Sequence, residues 1–376
     1  MINIMYVVYD FGIGGLEKCV VDLVNSLDQA EFRSSICCLR RSGDSARKLR
    51  RADVKIFEMC KRNGHDLTLP FRLAKLLKEN NIDIIHSANW GTYLESIAGA
   101  RLAGMSAHVH MEQGMEFGEY NETDTIKRKL RIHSQRLFSP SVNKIVAVSE
   151  EIRGRFIDRI GIIPEKIVTI PNGVDTEFFK PEKKTRKCKR SELGLGETTI
   201  IMGSVGRLSR VKNYTILLEA FERVLQARSD IHLLMVGDGP ERRELEHKAS
   251  SLDLLSHVTF LGQRNDTKDI LNVMDIFILP SIFEGLSVSV LEAMSVGLPV
   301  IASNVGGNPE IIQHRKTGFL FESSNVNDLV SLITENSNGF NLRERVGMAA
   351  RNRVVDSFSL RVQTKSYSRI YQDCLR

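Results

Sequence analysis

Short apolar runs, each followed by a polar or glycine-rich loop and then by a helical segment, recur along the whole chain. Residues 2–11, 199–205 and 275–280 are examples of such runs, and residues 83–87 form a further predicted strand. Runs of this length that are apolar throughout suit strands buried on both faces. Strands that alternate with helices form a parallel sheet with helices packed on both sides. The pattern therefore predicts an α/β fold built on doubly wound sheets.

The length of the chain, 376 residues, exceeds one ordinary domain and predicts two. A turn-rich stretch at 170–175 is followed by a run at 182–190 that contains six basic residues. This composition is typical of an exposed connection between domains. The alternation of strand, loop and helix starts again after it, so we place the domains at 1–175 and 176–360.

Composition is that of a soluble globular protein, with 42% hydrophobic and 26% charged residues. The net charge of +6 is modest for this length, so nucleic acid is not expected as a partner. The six cysteines show no C-x-x-C motif and no metal-ligand spacing, which indicates reduced thiols. The chain starts on an apolar strand without a basic leader, and no apolar run approaches the roughly 18 residues of a membrane span. These features predict a cytoplasmic protein.

Two carboxylates stand in the unit that begins with the apolar run at 275–280. Glu284 lies in the loop after that run, and Glu292 lies about a turn and a half into the helix predicted at 286–296. Sheets of this class bind ligands where the carboxyl end of a strand meets the amino end of a helix. Both side chains are therefore candidates for contact with one ligand.

Two further loops suit phosphate. Gly14 and Gly15 follow the first strand and would let backbone N–H groups approach a phosphate or a sugar; a plain tight turn is the alternative. The dinucleotide fingerprint requires a glycine where Glu17 stands, so NAD is not expected. Arg207 and Lys212 flank the loop after the strand at 199–205, where two cations could clamp a diphosphate.

Polar side chains share one face of the strand predicted at 107–112. His108, His110 and Glu112 alternate with Val109 and Met111, so they point the same way near the carboxyl end of the strand. A lone histidine is more often structural than catalytic, whereas a cluster at a strand end indicates a site. Both interpretations stay open from the residues alone.

Two stretches of the first domain are basic: residues 33–62 hold ten Lys or Arg against three Asp or Glu, and residues 125–136 hold five against none. In the second stretch Ile126, Leu130, His133 and Leu137 recur at helical spacing. Beside this stripe stand four basic residues, Lys127, Arg128, Lys129 and Arg131. The pattern is typical of an amphipathic helix on an anionic membrane surface. The alternative is a solvated helix whose apolar stripe packs on the core.

A set of short motifs spans the chain in a fixed order. They are Gly14-Gly15-x-Glu17, Asp83-Ile-Ile-His86, Ile170-Pro-Asn-Gly-Val-Asp175, Gly206-Arg-Leu with Lys212, Val236-Gly-Asp-Gly-Pro240, Glu284-x7-Glu292, Val305-Gly-Gly-Asn-Pro-Glu310, Thr317-Gly-Phe319 and Phe358-Ser359. This set resembles the retaining family 4 glycosyltransferases of GT-B fold, in which two Rossmann-like domains face each other across a cleft. Two glutamates eight positions apart say little alone, but the ordered set is specific.

The resemblance implies a phosphate site in the second domain. Arg207 and Lys212 would hold the diphosphate of a nucleotide-sugar donor and offset the charge on the departing nucleotide. Backbone N–H groups of Gly285, Leu286 and Ser287 at the amino end of the helix would add to this. Such folds need no metal, and the chain has no Asp-x-Asp motif, so neither a metal nor a further cofactor is expected.

The resemblance also assigns the two carboxylates and the first loop. Glu284 would contact the donor sugar as the catalytic residue, and Glu292 would bond the ribose hydroxyls. Gly14 and Gly15 would let the first loop approach the donor phosphate and the acceptor. The alternative is that Glu292 and the two cations are simply solvated.

One position departs from the family pattern. The family often places a histidine before the glycine that follows the strand at 107–112, and here Gln113 stands there. Glutamine bonds a sugar hydroxyl but cannot titrate. Either His110 serves the site as a catalytic residue, or no protein base acts and the donor phosphate accepts the acceptor's proton in a front-face reaction. Glu112 and Gln113 are the acceptor-side candidates.

The function that the resemblance implies is retaining transfer of a hexose from a UDP-linked donor to a glycan or lipid-linked acceptor in cell-surface polysaccharide synthesis. A sugar-nucleotide epimerase of the same fold and a non-catalytic binding protein are the alternatives. The first domain, with the loop at 115–124, would bind the acceptor, and the second domain would bind the donor. The helix at 361–376 would cross back to the first domain. The enzyme would act in the cytoplasm, on the inner face of the plasma membrane.

Overall fold

The computed structural model describes residues 1–62, 64, 66–114 and 125–376. The chain divides into two compact units. Unit 1 consists of Met1–Gly173 together with Leu360–Arg376, and unit 2 consists of Val174–Ser359. The first division thus falls two residues before the predicted boundary after 175. The chain returns to unit 1 at Leu360, one residue before the predicted helix at 361–376. None of the helices in the described part of the chain has the length and apolar character needed to span a bilayer.

Unit 1 holds a parallel sheet that has seven strands in the described residues, in the order β3-β2-β1-β4-β5-β6-β7. The strands are β1 (Ile2–Val8), β2 (Phe32–Cys38), β3 (Lys55–Glu58), β4 (Ile84–Ala88), β5 (His108–Glu112), β6 (Lys144–Ala147) and β7 (Ile167–Thr169). The helices are α1 (Gly15–Ser26), α2 (Leu69–Glu79), α3 (Trp90–Ala103), α4 (Thr125–Phe138) and α5 (Glu150–Arg155). The strand order reverses between β1 and β4, and sheets of this class bind ligands at the carboxyl ends of the strands beside such a reversal.

In unit 2, α6 (Lys183–Glu192) precedes a parallel sheet. Within the described residues this sheet has six strands, in the order β10-β9-β8-β11-β12-β13. The strands are β8 (Ile200–Val205), β9 (Ile231–Val236), β10 (Val258–Gly262), β11 (Ile276–Leu279), β12 (Val300–Ser303) and β13 (Phe319–Phe321). The helices are α7 (Tyr214–Ala227), α8 (Arg242–Ser251), α9 (Thr267–Val273), α10 (Val288–Ser295), α11 (Asn308–Ile311), α12 (Val326–Asn338) and α13 (Phe340–Ser357). The reversal here lies between β8 and β11.

The two parallel sheets confirm the predicted α/β fold, and their strands are apolar for the expected reason. The residues of β4 and β11 are buried throughout, because helices cover both faces of each sheet. The helix predicted at 286–296 begins two residues later, at Val288, because Ser287 caps it by accepting the Val290 N–H. It ends before Gly297, whose φ of 80° suits glycine.

The basic run at 182–190 is not the exposed connection that its composition predicts. It forms most of α6, which belongs to unit 2. Arg186 pairs with Asp275 at 2.6 Å, and Lys189 pairs with Asp266 at 2.6 Å. Acidic partners about 80 residues away in the chain therefore neutralise part of the charge, and no local pattern reveals such partners.

The last helix, α14 (Leu360–Asp373), packs on unit 1 through buried tyrosines. The Tyr371 hydroxyl lies 3.1 Å from that of Tyr6 and 2.7 Å from Nδ1 of His86. All three side chains are at most 1% exposed. Burial, with the nearby His110 second, lowers the pKa of His86 to about 3. Burial also lowers the pKa of His108. Unit 1 therefore holds two neutral histidines in its core.

We expect these histidines to make the stability of the protein depend on pH. Below the ordinary histidine pKa of 6.5 the unfolded chain binds protons that the folded core rejects until about pH 3, so stability is complete above pH 6.5 and falls as the pH drops. Each such histidine removes about 1.4 kcal/mol at one pH unit below its unfolded pKa. Urea unfolding at pH 7.5 and 5.5 should show the loss, and His86→Gln should reduce it. An equal reduction in the control His133→Gln, which alters an exposed histidine, would contradict this origin.

Candidate active site

The loops that follow β8 and β11 meet at the point where the strand order of unit 2 reverses. The Ile282 N–H donates to the Val211 carbonyl at 2.8 Å and joins the two loops. Next to this bond the Lys212 Nζ donates to Oε1 of Glu284 at 2.6 Å. The structure thus brings together two residues that lie 72 positions apart and that the motifs place in one site.

The Lys212–Glu284 pair is largely shielded from water, with side chains 17% and 10% exposed. Ser281 donates its hydroxyl to the same carboxylate oxygen at 2.5 Å. Burial by itself lowers the pKa of Lys212, but the Glu284 carboxylate and the Tyr214 hydroxyl outweigh it, so the pKa is raised. Lys212 is therefore a fixed cation at neutral pH. Ser281 and Tyr214 are site residues that sequence reasoning missed, because single hydroxyls in apolar runs carry no signal.

The other donor-side candidates lie close to Lys212 or Glu284 in the sequence. The Arg207 side chain is exposed, and within the described residues it makes no ion pair. Gly285, Leu286 and Ser287 lead directly into α10, whose amino end is therefore close to Glu284 along the chain. Glu292 lies on α10 and is 6% exposed. Its burial contradicts the alternative in which Glu292 is a solvated helix residue.

Glycines allow the loops at this edge to touch through their backbones. A β-carbon at Gly306 would lie 1.7 Å from the Glu284 carbonyl oxygen, and one at Gly307 would lie 2.4 Å from the Gly285 carbonyl oxygen. The Gly307 N–H donates to that Gly285 oxygen at 3.0 Å. No side chain fits there, so these glycines fix the position of the Glu284 loop.

The glycine-rich loop of unit 1 has the opposite property. A β-carbon at Gly12 or Gly15 would meet no protein atom within 4 Å, and one at Gly14 would meet only the flexible end of Glu17. Neither Gly12 nor Gly15 has a positive φ. Packing and backbone geometry therefore do not require glycine at 12 and 15, which favours a close ligand as the reason.

His110 belongs to a buried cluster of polar side chains on β4 and β5. Its Nδ1 is 2.8 Å from the Ser87 hydroxyl, which also lies 2.8 Å from Nε2 of His108. Its Nε2 lies 3.6 Å from Oε2 of Glu112, and its ring packs against Tyr93. His110 and Glu112 are at most 1% exposed. The geometry suits a positioning network, and the catalytic role of His110 stays a prediction.

Gln113 is bound to another amide side chain. Its Nε2 donates to Oδ1 of Asn172 at 2.9 Å, and Nδ2 of Asn172 donates to its Oε1 at 2.8 Å. Asn89 accepts the Gln113 N–H at 2.9 Å. Asn89 and Asn172 therefore hold Gln113 in one orientation at the end of β5. The predicted acceptor loop at 115–124 lies outside the described residues.

Comparisons with known proteins decide the family. The profile described as Glycosyltransferase Family 4 matches residues 13–178, and that described as Glycosyl transferases group 1 matches residues 185–353. The UDP-Gal:alpha-D-GlcNAc-diphosphoundecaprenol alpha-1,3-galactosyltransferase of Escherichia coli is 30% identical over 312 residues, which cover 82% of this chain and 80% of that protein. This chain belongs to the family 4 glycosyltransferases.

Two further comparisons agree with this membership. The N-acetyl-alpha-D-glucosaminyl L-malate synthase of Bacillus anthracis is 26% identical over 319 residues, or 83% of this chain and 80% of that protein. The crystal structure of Anabaena Alr3699/HepE with UDP-glucose superposes with a TM-score of 0.86 at 20% identity, over 99% of this chain and all of that chain. These comparisons confirm the predicted GT-B fold and the predicted membership of the retaining family 4 glycosyltransferases. The described residues contain no group of three His, Cys, Asp or Glu side chains suited to hold a metal, and metal independence stays a prediction.

The contrast between the two glycine loops can be tested in this glycosyltransferase. We expect Gly15→Ala to change the free energy of unfolding by less than about 1 kcal/mol, because the new methyl group meets no atom. We expect it to slow sugar transfer at least about 10-fold, because the methyl group would occupy space that we predict the substrate needs. Gly306→Ala should instead destabilise unit 2, since its methyl group would meet the Glu284 carbonyl. Thermal unfolding and initial transfer rates measure both effects, and full activity of Gly15→Ala would refute the assignment.

Proposed function

We propose that this glycosyltransferase moves a hexose from a UDP-linked donor, with retention of configuration, to a lipid-linked glycan acceptor in cell-surface polysaccharide synthesis. The observation that carries the proposal is the shielded Lys212–Glu284 pair at the carboxyl edge of the unit 2 sheet. A cation held in this way beside a helix amino end suits a diphosphate. The Escherichia coli relative is named for a UDP-linked donor and a diphosphoundecaprenol-linked acceptor, which supports both substrate classes.

The charges of unit 2 would stabilise the departing nucleotide. When the bond between the anomeric carbon and the phosphate oxygen breaks, negative charge develops on the UDP diphosphate. Lys212 and the exposed Arg207 supply two positive charges, and the backbone N–H groups that lead into α10 add a third stabilising element. These groups take the place of a metal ion, and the enzyme would need no cofactor beyond its nucleotide-sugar co-substrate.

The two carboxylates would position the donor. Both hydrogen bonds to Glu284, from Lys212 and Ser281, end on Oε1. Oε2 would then accept a hydroxyl of the donor sugar, and Glu292 would accept the ribose hydroxyls. Held in place, the sugar presents its anomeric carbon to the acceptor on the face that the phosphate leaves. The acceptor hydroxyl forms the new bond there and gives its proton to the departing phosphate oxygen.

No protein base is needed in this scheme, and the geometry of unit 1 agrees. His110 is buried behind Ser87 and Glu112, and Gln113 cannot titrate. We propose that the buried network orients the end of β5, where Gln113 would offer its amide to an acceptor hydroxyl. His110 would then be a positioning residue.

Three variants separate these roles. We expect Glu284→Gln to lower kcat by about 100-fold to 1,000-fold, because a fixed charge at the reacting sugar is lost. His110→Asn should retain most of kcat and keep the slope of its pH profile, because it carries no proton in the reaction. The control Glu335→Gln changes an exposed pair with Arg315 in the same unit and should be silent. Release of UDP and mass spectrometry of the product give the rates. A pH profile that loses an ionisation in His110→Asn would restore His110 as the base.

We further propose that α4 binds an anionic membrane surface. Three apolar side chains on one stripe of α4 are exposed: Ile126 by 69%, Leu130 by 62% and Leu137 by 58%. This exposure contradicts the alternative in which the stripe packs on the core. Lys127 and Lys129 are exposed beside it, whereas Arg131 lies 5.0 Å from the Trp90 ring. An exposed apolar stripe flanked by lysines suits the boundary between headgroups and acyl chains, where the lipid-linked acceptor resides.

Vesicle flotation tests this surface. At low salt the wild-type protein should float with vesicles that contain anionic lipid. At roughly 0.5 M salt it should float less, because the salt screens the charges. Leu130→Glu and Lys127→Glu/Lys129→Glu should each abolish flotation. The control Lys183→Glu/Lys184→Glu makes the same charge change on exposed lysines of α6 in unit 2 and should still float. Equal loss in both double variants would show that net charge, and not α4, controls binding.

A further inference from the structure

A basic cavity of about 500 Å³ opens in unit 1 at the carboxyl ends of β1, β2 and β3. Its lining residues are Asp10, Arg40, Arg41, Cys60, Lys61 and Arg62. Four cations thus face one carboxylate. Like charges gathered at one cavity repel each other, and a bound anion relieves that repulsion.

Backbone hydrogen bonds that continue the sheet beyond its strands hold the cavity in shape. The Arg40 N–H donates to the Tyr9 carbonyl at 2.9 Å, and the Cys60 N–H donates to the Arg40 carbonyl at 3.2 Å. The Lys61 N–H donates to the Leu39 carbonyl at 2.7 Å. Cys60 adopts a φ of 47°, in the left-handed region that residues with side chains rarely occupy. Such backbone conformations concentrate at ligand sites. The cavity is therefore built from ordered backbone.

Two of the four cations, Arg40 and Lys61, lie near the ring of Tyr9, which precedes Asp10 in the chain. The Tyr9 ring lies 6.0 Å from the Arg40 guanidinium and 5.9 Å from the Lys61 ammonium. Lys61 donates to the Gly64 carbonyl at 2.9 Å and lies 3.9 Å from Glu95. These contacts position Arg40 and Lys61, and the lining residues still carry four positive charges against the one negative charge of Asp10.

The cavity adjoins the glycine-rich loop that follows β1. The Phe11 N–H donates to the Arg41 carbonyl at 3.2 Å, and a β-carbon at Gly43 would lie 2.9 Å from the Phe11 carbonyl oxygen. The loop after β2 therefore packs directly on the chain that enters Gly12–Gly15. At roughly 4.8 Å per strand, the ends of β2 and β3, which lead to the arginines of the cavity, lie about 14 Å and 19 Å from the end of β5, where Gln113 stands. A glycan attached through a diphosphate spans a distance of this order.

We propose that this cavity binds the phosphate groups of the acceptor, so that its sugar reaches Gln113. This inference rests on the proposed function and specifies its acceptor as a sugar linked through phosphate. Arginine pairs with phosphate oxygens through two parallel hydrogen bonds, which suits Arg40, Arg41 and Arg62. Further along the same segment Leu67 and Phe71 are exposed by 82% and 64%, next to Asp66, which accepts the Arg62 N–H at 3.2 Å. Apolar side chains beside a phosphate site suit a lipid chain.

Steady-state kinetics of Arg41→Gln/Arg62→Gln test the proposal. Two acceptors are compared, a short-chain lipid diphosphate sugar and the same sugar as a phosphate-free alkyl glycoside. We expect the KM for the diphosphate acceptor to rise about 10-fold to 100-fold, because two charge-assisted contacts are lost. The KM for the alkyl glycoside, the KM for the donor and kcat should stay unchanged. The matched control Arg33→Gln/Arg47→Gln removes two exposed arginines of the same basic stretch that do not line the cavity and should have no effect.

Inorganic pyrophosphate separates the sources of the phosphate. It should compete with the diphosphate acceptor in the wild-type enzyme, and Arg41→Gln/Arg62→Gln should weaken that competition. Leu67→Ser/Phe71→Ser should raise the KM for the lipid acceptor without changing the inhibition by pyrophosphate. If Leu67→Ser/Phe71→Ser has the same inhibition constant for pyrophosphate and the same KM for the lipid acceptor as the wild-type enzyme, the cavity takes free phosphate and no lipid.

Other outcomes overturn the proposal in distinguishable ways. A rise in the donor KM instead would assign the cavity to the donor diphosphate. Unchanged kinetics in an active enzyme would refute the cavity and leave the proposed function standing. If the wild-type enzyme transfers sugar to neither acceptor, the proposed acceptor class fails, and calorimetric binding of pyrophosphate to the wild-type and variant proteins still decides whether the cavity takes phosphate.

Discussion

Backbone contact at Gly306 determines where the Glu284 loop of unit 2 lies. A β-carbon there would sit 1.7 Å from the Glu284 carbonyl oxygen, so the loops after β11 and β12 touch without any side chain between them. Gly237 has the same role between the loops after β8 and β9, where a β-carbon would lie 2.0 Å from the Gly206 carbonyl oxygen. Because these loops are locked together, Lys212 and Glu284 meet at 2.6 Å while both remain mostly shielded. A charge held in this way would need no reorganisation in the sugar transfer that we propose.

Unit 1 distributes its polar groups in another way. Its histidines lie within the core, where His86 and His108 stay neutral because burial disfavours their charged forms. Its cations lie at the surface, around the cavity beside the first loop and along α4. The loop that follows β1 leaves open space at Gly12 and Gly15. A basic edge of this kind is compatible with the anionic acceptor that we propose.

The sequence predicted the fold because its evidence is local. Most strands are largely apolar runs, and boundary signals mark helices such as α10, with Ser287 before it and Gly297 after it. The motifs also placed Lys212 and Glu284 in one site, and the structure joins them at 2.6 Å, whereas donor binding by these residues, Arg207 and Glu292 stays a prediction. The prediction that the basic run at 182–190 is a linker was wrong, because it also used only local composition. The composition of this run is that of a linker, and its partners Asp266 and Asp275 lie far away in the chain.

By itself the sequence determined the α/β class, the two domains and the family, because periodicity and motif order survive without knowledge of contacts. Only the tertiary structure decided which side chains are accessible and which are paired. It buried His110 behind Ser87, joined Gln113 to Asn172 and left the apolar stripe of α4 in solvent. It also gathered Arg40, Arg41, Lys61 and Arg62 at one cavity. Burial and pairing arise from chain segments that are distant in sequence, and an alternating pattern of residues does not encode those distances.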